Sequence, residues 1–255
     1  MKYYRFIFKG GLGNQLFQYA YYKHLLVKDK KIKIDLIWFY FNKTRRFSIL
    51  NYCVNIEKIN ICYSMFFRII EKLNKNKIVG YYQHQKYPDQ FRTELLNELV
   101  LKIKTPIYTK LSGIIQSSNY SVGVHIRRGD YLNHSDIYEL CGLDYFKNAI
   151  SIFNKRNENI SWFIFTDDVK WLEENMFIRG NINIISKNNL SDSEELMLLK
   201  SCKGIITSNS TFSWWAAWLN NNDQKVVVTP SKWLKNISDN SKLINDIIPK
   251  NWIQI

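Results

Sequence analysis

Three short runs in this 255-residue chain gather groups that hold anions or move protons: His125-Ile126-Arg127-Arg128-Gly129-Asp130, Thr166-Asp167-Asp168 and Ser208-Asn209-Ser210-Thr211. An arginine fork matches phosphate oxygens bidentately and keeps its charge at any working pH. Adjacent residues of an extended chain point to opposite faces, so Arg127 and Arg128 share one phosphate only if the chain turns; Gly129 allows that turn. The bland reading of the same run is a surface pair bonded to Asp130 and other acids. Asp167 and Asp168 can bind a metal, cap the following helix or accept from a nucleotide, and capping suits at least one of them. Ser208–Thr211 offer hydroxyls, an amide and a helix start, which make either an anion site or a simple cap. Trp214, Trp215 and Trp218 follow; indoles stack on sugars or bases, and more often pack a core.

The elements that position these runs read as alternating strands and helices. Residues 3–8 form an apolar strand, Gly10-Gly11-Leu12-Gly13-Asn14 a turn, and Leu16, Phe17, Ala20 and Leu25 recur at helical spacing. A second strand spans 31–36. Residues 59–77 put Ile61, Met65, Phe66, Ile69, Ile70 and Leu73 on one face beside Arg68, Lys72 and Lys75. Such a basic amphipathic helix faces a core or lies on a membrane. From Ser121 the pattern restarts, with strands at 122–126, 162–165, 182–185, 204–207 and 225–228 separated by helices at 143–153, 169–175, 193–200 and 212–219. Short loops between alternating elements argue for parallel sheets. The expected architecture is α/β, two Rossmann-like domains of residues 1–118 and 119–255, with the C-terminal tail able to pack back on the first. Ligands of such sheets bind beyond the carboxyl ends of the strands, where all three polar runs fall.

Hydrophobic residues make up 46% and aromatics 15%, a globular composition. No run approaches the roughly 20 apolar residues of a membrane span, and the start lacks the pattern of a signal peptide, so a cytoplasmic location is expected. Cys53, Cys62, Cys141 and Cys202 have no paired spacing and read as reduced, mostly buried thiols. Lys and Arg number 36 against 22 Asp and Glu, a balance of +14. That charge fits nucleic acid, an anionic membrane surface or phosphorylated substrates. A nucleic-acid-binding protein would explain the charge, but not three polar clusters at strand ends. Gly11-Leu12-Gly13-Asn14 lacks a full G-x-G-x-x-G, and close backbone approach explains its glycines.

Taken together, the words resemble glycosyltransferase family 11, the α-1,2-fucosyltransferases. They are Gly10-Gly11-Leu12-Gly13-Asn14-Gln15-Leu16-Phe17-Gln18, Gly80-Tyr81-Tyr82-Gln83, Val124–Tyr131, Phe165–Asp168, Ser201–Leu219, Val228–Trp233 and Trp252-Ile253, in family order. The resemblance implies a GT-B architecture with two domains facing across a cleft and the donor on the C-terminal side. It implies transfer of L-fucose from GDP-β-L-fucose, with inversion, to a hydroxyl of a galactose-containing oligosaccharide or lipid-linked glycan. It implies no cofactor and no obligatory metal, GDP-fucose being a co-substrate. Work at the inner face of the plasma membrane, on a surface polysaccharide, goes with it. By similarity, Arg127 holds the diphosphate, His125 lies near the guanine, and Ser208, Asn209, Ser210 and Thr211 surround the phosphates. Gly11, Gly13, Asn14, Arg128, Thr166, Asp167 and Asp168 complete the expected donor set. Where the family has an aspartate seven residues before Cys202, this chain has Glu195; a carboxylate there accepts from guanine N1–H and the 2-amino group. Asp130 is the first candidate for the base that deprotonates the acceptor, beside Arg127 as the second catalytic residue; Asp35 is a weaker candidate.

Overall fold

Apolar strands followed by helices make two parallel sheets in the computed structural model, which describes residues 4–28, 32–54, 56 and 77–255. The chain divides into two compact units, Met1–Lys102 and Ile103–Ile255. The basic stretch expected as a helix at 59–77 lies, apart from its last residue, outside the described residues.

In the first unit, β1 (Tyr4–Ile7), β2 (Ile32–Asp35) and β3 (Lys77–Val79) form a parallel sheet in the order β2-β1-β3. Phe6 and Phe8 are fully buried under α1 (Leu12–Leu26) and its neighbours. Gly10 turns the chain with φ +82°, a value that L side chains rarely adopt. Two buried glutamines latch this turn. Gln18 accepts from the Lys9 N–H at 2.9 Å and donates to the Lys9 carbonyl at 2.7 Å. Gln15 donates to the carbonyls of Gly10 and Arg46 at 3.0 and 2.8 Å. The short α2 (Ile37–Phe41) follows β2, and α3 (Lys86–Gln90) and α4 (Arg92–Glu98) follow β3.

In the second unit, β4 (Tyr120–Ile126), β5 (Ile160–Thr166), β6 (Asn181–Ile184), β7 (Gly204–Ile206), β8 (Val226–Thr229) and β9 (Ile253–Gln254) run parallel in the order β6-β5-β4-β7-β8-β9. Val122, Val124, Ile164, Ile206 and Val228 share a core with Phe146, Ala149 and Phe153 of α7 (Leu143–Asn154). On the other face, a Cβ at Gly123 would stand 2.4 Å from Leu199 of α9 (Asp192–Lys200), so glycine there lets that helix pack close. Helices therefore cover both faces, and the sheet is doubly wound. Strand order reverses between β4 and β7, the switch point where such sheets open a crevice.

One boundary differs from expectation. Helix α5 (Pro106–Ser117), expected at the end of the first domain, belongs to the second unit. Its cap Thr105 donates its N–H and hydroxyl to Glu194 of α9 at 2.9 and 2.7 Å. The C-terminal tail adds a strand to the second sheet: β9 pairs with β8, and Ile255 exchanges backbone hydrogen bonds with Thr229 and Ser231.

Candidate functional site

The three polar runs sit at the carboxyl ends of β4, β5 and β7, and side-chain bonds tie them together. Burial of Val124 and Ile126 on one face of β4 sends His125 to the other, where it is 6% exposed. Its Nδ1 shares a 2.8 Å hydrogen bond with Ser208 Oγ, spanning the switch point between β4 and β7. The ring also stacks on Phe212, with centroids 5.2 Å apart. Burial, and secondarily the Arg127 charge, hold its pKa down to about 3, so the imidazole is neutral at ordinary pH.

Past β4 the two arginines take different partners. Arg127 donates to Asp130 at 2.6 Å and pairs with Asp167 Oδ2 at 2.9 Å, with its guanidinium 5.8 Å from the Tyr131 ring. Arg128 lies 4.1 Å from the Trp171 ring and approaches Asp168 at 3.4 Å. Asp167 joins the two loops: its Oδ1 accepts from the Arg128 N–H at 2.8 Å while its Oδ2 faces Arg127. Gly129, which opens the short α6 (Gly129–Leu132), makes room for it, since a Cβ there would stand 2.8 Å from Asp167 Oδ2. Asp168 caps α8 (Val169–Glu174) by accepting from the Trp171 N–H at 3.0 Å, the bland role expected for one of this pair.

Thr166 links this edge to Glu195. Its hydroxyl accepts from the Asp168 N–H, and its own N–H donates to Ser186 Oγ at 2.9 Å. Ser186 in turn lies 3.3 Å from Glu195 Oε2. Burial raises the Glu195 pKa to about 7, against the Ser186 hydrogen bond and with help from Asp192. Its neighbour Glu194 instead closes a capping box with Ser191.

The Ser208–Thr211 run splits by role. Asn209 is 2% exposed, and its amide donates inward to the carbonyls of Glu139 and Trp233. Its Oδ1 accepts from the Cys141 thiol at 3.7 Å, so the side chain expected around phosphates is held in the interior. Ser210 caps α10 (Thr211–Leu219) through the Phe212 N–H at 3.3 Å. Trp214, Trp215 and Trp218 are core residues, at most 4% exposed, and do not line the edge.

Gly11, Gly13 and Asn14 belong to the first unit. Gly11 is the N-cap of α1, Gly13 is buried in its first turn, and Asn14 Oδ1 accepts from Gln83 at 2.8 Å. Asp35 is 1% exposed, paired with Arg5, and accepts from the Ile37 N–H. That is a structural role for the weaker of the two base candidates. Asp130 is the partner of Arg127. Cys141 and Cys202 are buried free thiols, whereas Cys53 is exposed. Among the described residues, no three or more His, Cys, Asp and Glu group as metal ligands, and no helix is long and apolar enough to cross a membrane.

Tyr131 and Phe212, which stand in the family words without a stated role, and Trp171 and Ser186, which stand outside them, also support the site. Tyr131 donates to the Asn209 carbonyl at 2.9 Å and stacks on Tyr138, which fixes the ring beneath Arg127. The signal for Trp171 is its place one helical turn after the capping Asp168. Nothing in the spacing of Ser186 marks it.

These features define an α/β protein with a doubly wound sheet and an arginine–carboxylate cluster at its switch point. The chain belongs to Glycosyl transferase family 11, whose model matches residues 66–255. It is similar to an alpha-1,2-colitosyltransferase of Escherichia coli, 29% identical over 96% of both chains. It is also similar to an O-antigen biosynthesis glycosyltransferase, WbnK, of Escherichia coli, 28% identical over 96% of this chain and 98% of that one. Galactoside alpha-(1,2)-fucosyltransferase 2 of Sus scrofa is 27% identical over 56% of this chain and 45% of its own. Among solved structures, NodZ alpha-1,6-fucosyltransferase soaked with GDP-fucose aligns with a TM-score of 0.49 at 16% identity, covering 86% of this chain and 93% of that one.

Proposed function

We propose that this enzyme transfers L-fucose from GDP-β-L-fucose to a galactoside hydroxyl in α-1,2 linkage, with inversion, during assembly of a surface polysaccharide. The observation that carries the reading is Arg127, held by Asp130, Asp167 and the Tyr131 ring at the switch point of the second sheet. As the glycosyl bond breaks through an oxocarbenium-like state, the leaving diphosphate gains charge. A preorganised cation aimed at that charge lowers the barrier without reorganising in the step. Arg127 fills that role and Arg128 flanks it, so the reaction needs no metal. Neutral His125 and the carboxyl of Glu195 serve the guanine side. Asp130 acts by orienting Arg127, whose guanidinium donates to it at 2.6 Å.

The α-1,2 linkage rests on the family and on two relatives bearing it in their names. A second reading follows from one of them: the relative named for colitose suggests a donor carrying that sugar in place of fucose. Thermal shift separates nucleotide classes. GDP and GDP-fucose raise Tm and UDP does not; a flat response to all three removes the donor assignment.

A further inference from the structure

The positive charge is not spread evenly. The first unit, Met1–Lys102, holds 19 Lys and Arg against 7 Asp and Glu, a balance of +12; the second holds 17 against 15, a balance of +2. The donor chemistry proposed above uses the nearly neutral unit, so it leaves the charge of the other unexplained.

Within the first unit, one segment joins that charge to exposed aromatic surface. Helix α2 reads Ile37-Trp38-Phe39-Tyr40-Phe41, five apolar or aromatic residues in succession, and none of them is buried. Tyr40 and Phe41 are each 58% exposed. Asn42-Lys43-Thr44-Arg45-Arg46 follows at once, with Lys43 and Arg46 exposed. The segment is anchored from behind. Phe39 packs on Phe47 and Phe47 on Phe8, both with centroids 5.3 Å apart, and the Arg46 carbonyl accepts from Gln15. It lies past the carboxyl end of β2, and the loop after β3 adds Tyr81, 40% exposed, with the Lys9 ammonium 4.5 Å from its ring centroid. Asp35, the acid that ends β2, is buried against Arg5 and offsets none of the exposed charge.

We propose that the 37–46 segment docks this enzyme on the surface of an anionic lipid bilayer, with Tyr40 and Phe41 entering the headgroup region and Lys43 and Arg46 meeting lipid phosphates. Aromatic side chains with a polar tip favour the membrane–water interface. Each Lys or Arg near an anionic surface adds about 1 kcal/mol, a factor of roughly five in partitioning. Exposed rings beside exposed cations suit a broad charged surface better than a neutral sugar, which needs ring faces but no net charge.

The test is co-sedimentation of the full chain with vesicles of phosphatidylcholine alone, or containing about one-third phosphatidylglycerol. Wild type sediments with the anionic vesicles, and less as salt is raised. The double variant Lys43→Glu/Arg46→Glu lowers that partitioning by at least about 25-fold, the product of two such factors. Tyr40→Ser/Phe41→Ser lowers it on anionic vesicles while leaving the salt dependence in place. Both pairs keep the wild-type Tm and transfer to a water-soluble acceptor unchanged, because the anchoring contacts are Phe39, Phe47 and a backbone carbonyl. Equal sedimentation with both vesicle types, or variants that sediment like wild type, overturns the proposal. So does a raised KM for a soluble acceptor with vesicle binding intact, which would make the segment an acceptor contact.

Discussion

Replacing Asp167 with asparagine separates the charge that holds Arg127 from the shape of the site. The amide oxygen can still accept from the Arg128 N–H, now at 2.8 Å. The other position changes from a carboxylate oxygen 2.9 Å from Arg127 Nη1 to an amide donor facing a donor. A charge-assisted hydrogen bond contributes about 1.5–3 kcal/mol. Arg127 and Asp167 side chains are 21% and 25% exposed, so water screens part of this, and Asp130 keeps one end of the guanidinium in place. The expected loss is about 1–2 kcal/mol, which in a chain of this size lowers Tm by about 2–8 °C. Activity suffers more, since displacing a charge-stabilising group by about 1 Å can cost roughly 100-fold. Calorimetry and steady-state transfer, run on one preparation, give both numbers. A variant melting like wild type would refute the clamp. One that melts lower but keeps kcat/KM within about threefold would show that Arg127 has no part in transfer.

Gly129→Ala places a Cβ 2.8 Å from Asp167 Oδ2; it is expected to cost about 1–3 kcal/mol by denaturant melting and to reduce transfer, much as Asp167→Asn does. Glu195 gives a pH signature. Its pKa, raised from 4.5 to about 7, contributes stability that is fully present below 4.5 and lost as pH rises through 7. Glu195→Gln therefore gains up to about 3 kcal/mol relative to wild type between pH 5 and pH 8, read from melts at both; parallel curves would mean that the carboxyl ionises normally. His125 works in the opposite sense, its depressed pKa removing stability as pH falls from 6.5 through about 3, and it cancels in the comparison because both proteins carry it. Chelator treatment leaves most transfer activity, and complete, magnesium-reversible loss would count against arginine as the source of positive charge.

Much of the second unit was legible because its strands are long, apolar and each closed by a polar word. Val122–Ile126 and Trp162–Phe165 are buried throughout, and a continuous apolar run is the mark of a parallel strand covered on both faces. The separate partners of Arg127 and Arg128 were only half legible, because alternation separates neighbours in an extended chain while Gly129 left a turn open. Strands β3 and β9 were not, since three and two residues carry no periodicity and their pairing is decided by distant partners. The fate of Asn209 was equally hidden. A polar residue before a helix reads as a ligand or a cap, and only packing against Glu139, Trp233 and Cys141 turns it inward. Likewise, Lys-Arg totals gave the sign of the charge, while its confinement to one unit became apparent only once the units were defined.

The central claim is that Arg127 of the second unit drives fucosyl transfer from GDP-fucose. Its most direct test is product analysis by mass spectrometry after incubation with GDP-fucose and a panel of galactosides, for wild type and Arg127→Ala side by side. The account predicts one added fucose, linked α-1,2 to galactose, formed by wild type and slower by orders of magnitude in a variant that melts as a folded protein. It is contradicted if wild type forms no fucosylated product across the panel while another sugar nucleotide supports transfer, or if Arg127→Ala works at close to the wild-type rate.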